Sequence, residues 1–319
     1  MKKNIIKIIL FFIILLIILA ILSAILVPKN NTEEAGINNI QAMGILGEKD
    51  NTIDVIMYGD SESFASTMPM RIWEKYGYTF YVCGTSGQSM PDTCKIAYDT
   101  LKKQSPKIVI LEADNIFNSV GITVPIARVI NEILPITEYH NRWKTLAKND
   151  FFGEIKYTDT DENRGYYYVE KTDPIDGDGN NYMEDSSEIE KVPLLNGIYV
   201  KILKKYCESK GAQFVIVSVP SYKNWNYKKH NGMKEFAEKE GIEFLDLNKR
   251  KKEVKIDWKT ETGDKGDHVN YKGAIKVTNY LGKWLKEKNI LEDHRNDENY
   301  QKWNEDLDKL QQKNKILFE

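Results

Sequence analysis

Between Ile5 and Val27 the chain carries only two polar residues, Lys7 near the start and Ser23 near the end. About 20 apolar residues, at about 1.5 Å of rise each, cross a hydrocarbon layer of about 30 Å. A helix that is hydrophobic all round is either a membrane span or a wholly covered core helix. No other stretch of the sequence could cover it, so the span is the better fit. A secretory signal peptide has a shorter apolar core, roughly 7–15 residues, and a small-residue cleavage site. Ser23-Ala24 is a weak candidate for such a site, and the apolar run continues past it. Residues 1–4 then form a cytoplasmic tip and 5–27 a transmembrane signal anchor. Lys2 and Lys3 stay inside by the positive-inside rule, which puts everything after Pro28 outside the cytoplasm.

The 319 residues leave room beyond the anchor for one large α/β domain or two small ones. A hydrophobic share of 41% and a charged share of 29% are ordinary for a globular protein with a sizeable core. Of the net charge of -2, the first 27 residues carry only Lys2, Lys3 and Lys7, so the remainder is mildly acidic. It has no electrostatic footprint for nucleic acid, and no such partner is expected. Cys83, Cys94 and Cys207 are too few and too uneven for a disulfide framework. Cys83 follows Phe80, Tyr81 and Val82 and reads as a small core residue, while a Cys83–Cys94 bridge stays open for an extracellular domain. The sequence contains no CxxC, no HExxH and no His/Cys cluster, so neither a metal nor another cofactor is implied.

Residues 28–50 are polar and small, a stalk. From there strands and helices alternate. Ile53–Tyr58 reads as a strand that ends in Gly59-Asp60-Ser61, with a helical stretch around Met70–Tyr76. Thr79–Cys83 is a second strand and Met90–Lys103 a helix. Ile108–Leu111 is wholly apolar, as strands are when helices cover both faces. Tyr199–Lys210 is a helix closed by Gly211, Phe214–Val219 a strand broken by Pro220, Asn231–Glu240 a helix stopped by Gly241, and Ile242–Leu247 a last strand. This pattern predicts a three-layer α/β/α domain with a parallel sheet over 51–290. Residues 149–192 break the alternation and read as a long insertion over the ligand-binding edge. Within it, 173–181 superficially resembles a calcium loop but lacks the ligand spacing of one. A tail over 291–319, with Tyr300, Trp303, Leu307 and Leu310 at helical spacing, is expected to pack back on the domain.

Ser61 follows a strand and precedes a helix, and parallel sheets bind ligands at the carboxyl ends of their strands. There its own N–H can face developing negative charge. Gly-Asp-Ser alone is weak, since Asp and Ser are ordinary helix caps. Three further stretches strengthen it. Cys83-Gly84-Thr85-Ser86-Gly87-Gln88-Ser89 is a glycine-rich turn after the second strand. Glu112-Ala113-Asp114-Asn115 puts an amide after the third. Asp264-Lys265-Gly266-Asp267-His268 precedes an amphipathic helix, and a histidine beside an acid suits a base that needs tautomer control.

Together these motifs resemble the SGNH (GDSL-like) hydrolases over roughly Thr52 to Lys286. PMRIWEKYGY (69–78), YVCGTSGQ (81–88), EYHNRWKTL (138–146) and DHVNYKGAIKVTNYLGKWL (267–285) are more narrowly similar to a membrane-anchored Gram-positive branch, laid out like DltD-type and polysaccharide O-acetylation proteins. The resemblance implies a flavodoxin-like three-layer fold and serine acyl chemistry. It makes Ser61 the nucleophile and an oxyanion donor, and His268 the base. Gly87 becomes a second donor, ahead of Gly84. The amide donor is Asn115, although the family often places its Asn where this chain has Asp114. The family's acid stands three residues before the histidine, where this chain has Lys265. The lead-in Trp258-Lys259-Thr260 favours Asp264, with Asp267 the alternative.

His140 could line a substrate edge or make a structural hydrogen bond. Arg142 could hold a phosphate or carboxylate, or a buried ion pair. His230 and His294 read as surface residues. The functions implied are acyl transfer to a cell-envelope glycopolymer with a membrane-bound O-acyltransferase as partner, extracellular deacylation, or a catalytically silent binding scaffold.

Overall fold

Five short segments, almost wholly buried, form the sheet: β1 (Val55–Gly59), β2 (Phe80–Gly84), β3 (Ile108–Glu112), β4 (Gln213–Ser218) and β5 (Glu243–Asp246). The computed structural model describes residues 2–37, 39–118, 120–121, 123–177, 179, 181–250 and 252–318. Asn38 of the expected stalk, and Asp178 and Asn180 of the Asp/Gly/Asn run, lie outside the described residues. All pairings are parallel, in the order β2-β1-β3-β4-β5. Strands buried on both faces read as continuous apolar runs, and that is why their positions were visible in the sequence.

Side chains alternate across the sheet. Val55, Met57, Phe80, Val82, Ile108, Ile110, Val215 and Val217 share one core with Ile72, Val277, Leu281 and Leu285. Those four lie on helices Pro69–Tyr76 and Tyr271–Lys288. On the opposite face, helix Met90–Thr100 packs on β1 and helix Leu194–Ser209 on β4. The result is the three-layer α/β/α arrangement that the alternation predicted. Cys83 is buried in β2, and Cys94 Sγ lies 3.7 Å from the Tyr199 carbonyl oxygen. All three thiols are free, so the Cys83–Cys94 bridge is not formed.

The fold divides into two units, one of residues 1–40 and 121–159, the other of 41–120 and 160–319. The sheet belongs to the second. So does the end of the expected stalk, where Ala42, Ile45 and Leu46 are buried. Part of the expected insertion is core as well: Tyr166 and Ile175 pack with Trp258 and Val269. In the tail, helix Gln301–Lys313 buries Trp303 and Leu310. Arg164, wholly buried, hydrogen-bonds Asp306 at 2.9 Å and is ion-paired with Glu48 at 3.0 Å, with its guanidinium 4.4 Å from the centre of the Trp303 ring.

The first unit is built on helix α1 (Lys2–Leu26), which is long and apolar enough to cross a membrane or to serve as a signal sequence. Only Ser23 and Leu26 of α1 are buried. Ser23 Oγ accepts the Ile136 N–H at 3.1 Å, and Arg142 Nη1 donates to the Leu26 carbonyl at 2.6 Å. The same guanidinium pairs with Asp150 at 2.7 Å, and both side chains are buried. The reading of Arg142 as a ligand-binding cation is therefore corrected. Its charge is spent inside this unit, closing the end of α1, where a helix leaves carbonyls without intrahelical partners.

Candidate active site

β1 runs out at Gly59, where a Cβ would lie 2.6 Å from Glu112 Cβ of the neighbouring strand. Only glycine fits this close approach. Asp60 caps the helix that follows (Ser61–Ser66), accepting the Glu62 N–H at 3.4 Å. Ser61 thus stands at the carboxyl end of β1. In this strand order that end is the switch point between β1 and β3, the usual ligand crevice of such sheets.

His268 comes to the site from a loop held open by two left-handed residues, Lys265 and Gly266, with φ of 61° and 86°. Thr262 ties the loop, accepting the Gly266 N–H at 2.8 Å and donating to the His268 carbonyl at 2.8 Å. The 166–175 segment buttresses it from outside: Asp173 N–H donates to the Thr262 carbonyl, and Lys265 N–H to the Asp173 carbonyl. The bulge lets Asp264, four residues before the histidine, accept both the His268 backbone N–H at 2.7 Å and the Nδ1 proton at 2.5 Å. Asp267 turns elsewhere, accepting from Asn224 Nδ2 at 2.6 Å with Lys223 at 3.7 Å. Of the two acids, Asp264 is the one against the imidazole.

With Nδ1 occupied, Nε2 is the free end of the ring. It is buried without a hydrogen-bond partner among the described residues, 4.0 Å from Glu62 Oε2. Ser61 Oγ donates to that same Oε2 at 3.4 Å. Glu62 is buried, and its other oxygen accepts from Asn224 Nδ2. Serine hydroxyl and imidazole are thus both within 4.0 Å of one carboxylate oxygen. Burial pushes the His268 pKa down, but the Asp264 hydrogen bond and the charges of Glu62, Asp264 and Asp267 outweigh it and leave it above 6.5. For Asp264, burial raises the pKa, and the His268 bonds more than cancel that.

The expected oxyanion donors are placed differently from one another. Gly84 packs on the turn that carries Ser61: a Cβ there would collide with Ser63 Oγ and lie 3.0 Å from the Asp60 carbonyl oxygen. Gly87, at φ 62°, is exposed, with nothing near its Cβ position. Asn115 is buried, and its amide nitrogen donates to Thr93 Oγ1 at 3.1 Å while Oδ1 has no partner. Asp114 pairs with Lys229 at 2.6 Å, so a carboxylate acceptor stands where a donor was considered. That alternative is corrected. Burial lifts the Asp114 pKa to about 6 against the lowering effect of Lys229. Asp60 and Glu112 are pushed up too, chiefly by burial and then by neighbouring acids.

His140 belongs to the other unit, exposed, with Nδ1 at 3.1 Å from the Thr137 carbonyl. His230 and His294 are not free surface residues. Each is largely buried against an acid, Asp246 at 2.6 Å and Asp54 at 2.9 Å.

Four residues of the site escaped the sequence reading. Glu62 is an acid in a helix's first turn, a common place for one, and belongs to no motif. Asn224 and Lys229 follow β4 and carry no motif. Glu112 appeared only as the end of a strand, yet it accepts the Asp114 N–H at 2.8 Å and the Val219 N–H at 3.4 Å, joining β3 to β4. Ligand atoms of Glu62, Asp267 and His268, and of Asp60, Glu62 and Asp114, fall within 4.8 Å of one another. Lys229 already compensates Asp114, and a cation on His268 Nε2 would occupy the ring nitrogen that is otherwise without a hydrogen-bond partner among the described residues.

No protein-family model and no curated protein matches the chain. Among solved structures, it is similar to the acetyl xylan esterase AlAXEase at 13% identity, covering 75% of this chain and 100% of that one with a TM-score of 0.39. It is similar to the esterase EstA from Pseudoalteromonas sp. at 12% identity, covering 74% and 98% with a TM-score of 0.38. It is also similar to the lipase/acylhydrolase from Enterococcus faecalis at 10% identity, covering 74% and 96% with a TM-score of 0.38. Scores of this size carry no inference about chemistry, which rests on the side chains described above.

Proposed function

We propose that the chain is a serine acyl-handling enzyme of SGNH type, anchored by α1 and acting outside the cytoplasm on acyl groups of a cell-envelope glycopolymer. The observation that carries this reading is His268, with Nδ1 held by Asp264 and a free Nε2 turned to the carboxylate that binds the Ser61 hydroxyl. For catalysis Oγ must exchange Glu62 for Nε2 as its partner. Oγ then attacks an ester carbonyl as Nε2 accepts its proton. The alcohol leaves with that proton, and the Ser61 acyl ester is released to water or to an acceptor hydroxyl. The Ser61 N–H, with Gly84 or Gly87, supports the oxyanion. Tethering favours a fixed polymeric acceptor, and hence a membrane-bound O-acyltransferase as the supplier of acyl groups, over free deacylation.

A silent scaffold is the competing reading, since the Ser61 hydroxyl bonds Glu62 and the Asn115 amide is turned to Thr93. A serine-directed fluorophosphonate decides between them: the wild-type chain is expected to label at Ser61, and failure to label in native membranes sinks the enzymatic reading. Protease added to protoplasts is expected to remove the domain while α1 stays with the membrane; a fully protected domain refutes the topology.

The base must be neutral to accept the Ser61 proton, so activity should rise with pH through the His268 pKa. Because that pKa lies above 6.5, the limb of kcat/KM is expected on the alkaline side of an ordinary histidine. Glu62→Gln removes one of the charges holding it up, and the limb should then move to lower pH. A limb unchanged in Glu62→Gln would contradict this.

A further inference from the structure

Helix Thr123–Ile133 has Ile126, Val129, Ile130 and Ile133 at helical spacing, an apolar face about one helix turn by two. Such a face is normally buried, yet no residue of this helix is, and Ile133 is 72% exposed. Two other residues of the same unit behave alike: Trp143 is 66% exposed and Phe152 is 90% exposed. Single exposed apolar residues need no explanation, but a cluster rimmed by polar residues marks a covered surface.

What covers it follows from its attachment. The segments carrying Trp143 and Phe152 pack directly on α1, as does the turn Ile136–Tyr139 that continues from the amphipathic helix. Their bonds to α1 fall at Ser23 and Leu26, in its last turn. At about 1.5 Å per residue, the 25 residues of α1 extend about 37 Å, somewhat more than a hydrocarbon layer of about 30 Å. With Lys7 at the inner boundary, Ser23 to Leu26 reach the outer one. The segments that carry Trp143 and Phe152 are therefore held at headgroup depth beside the outer end of α1, and the amphipathic helix packs on one of the segments attached there. An exposed Trp143 followed by Lys144 is the pairing found at membrane interfaces.

We propose that this face, formed by Ile126, Val129, Ile130 and Ile133 with Trp143 and Phe152, lies in the outer headgroup layer of the bilayer that α1 crosses. The inference rests on the reading of α1 as a span. It makes the first unit a collar seated in lipid and not a loose stalk.

The test uses the full-length chain, purified and reconstituted alone into phosphatidylcholine–phosphatidylglycerol vesicles with bromines near either the headgroup end or the tail end of the acyl chains. Wild-type fluorescence should be quenched by the shallow bromines, and the quenching should be lost in Trp143→Phe. Ile130→Trp should add shallow quenching, and Ile13→Trp, in mid-span, deep quenching. If Ile13→Trp is not quenched, the span itself is wrong. If it is quenched while Ile130→Trp and Trp143 are not, the span stands and the collar is overturned, leaving a protein as the occupant of the face.

Discussion

Ser61→Ala and His268→Ala are each expected to lower ester turnover by roughly 10⁴-fold or more, with the fold intact. On the proposed mechanism, Ser61→Ala removes the attacking oxygen and His268→Ala the ring nitrogen that takes its proton. Because the two act in one step, the double variant should be little slower than either single one; independent contributions would multiply instead. Neither side chain is a structural keystone. Among the described residues, Ser61 makes one weak side-chain bond, to Glu62, and the His268 ring is hydrogen-bonded to Asp264 alone. Thermal midpoints should therefore stay close to wild type. Hydrolysis of a model acetyl ester, measured beside circular-dichroism melting, separates lost chemistry from lost structure. Undiminished turnover in Ser61→Ala would refute the assignment.

How much of this was legible follows the physics of each feature. The strands were, because burial on both faces forces runs such as Ile108–Leu111 to be apolar throughout. The placement of Ser61 and His268 at element boundaries was, because turn and cap residues mark such boundaries. The division into two units was not. Its determinants are pairings distant in sequence, such as Asn31 Oδ1 accepting the Thr158 and Asp159 N–H groups, and no local pattern announces them. The burial of part of the 149–192 insertion was illegible for the same reason: Tyr166 and Ile175 look like loop residues until Trp258 and Val269 are brought beside them. Glu62 was illegible in another way. A lone acid has no periodicity, so its burial depends entirely on Asn224 and the histidine loop arriving from elsewhere.

Asp264→Asn is expected to cost roughly 10⁴-fold in turnover, and Asp267→Asn little. The carboxylate of Asp264 accepts the Nδ1 proton, which fixes the tautomer with Nε2 unprotonated and stabilises the imidazolium that forms when Ser61 gives up its proton. An asparagine there can still accept the His268 backbone N–H through Oδ1, so the bulge at Lys265 and Gly266 should survive. Its amide, however, would present a donor to Nδ1. The ring would then carry its proton on Nε2, and a base with that nitrogen occupied cannot act. At Asp267 the bond from Asn224 Nδ2 is kept by an asparagine oxygen, and what is lost is a largely exposed pair with Lys223 at 3.7 Å. Exposed pairs of this kind are worth at most about 1 kcal/mol. Removing that charge should lower the His268 pKa slightly, so Asp267→Asn is expected to keep near-normal turnover with its pH limb displaced to lower pH. Measuring both variants on one ester across pH separates the roles. A severe loss in Asp267→Asn beside near-normal Asp264→Asn would mean that the acid facing Nδ1 is not the one that orients it during catalysis.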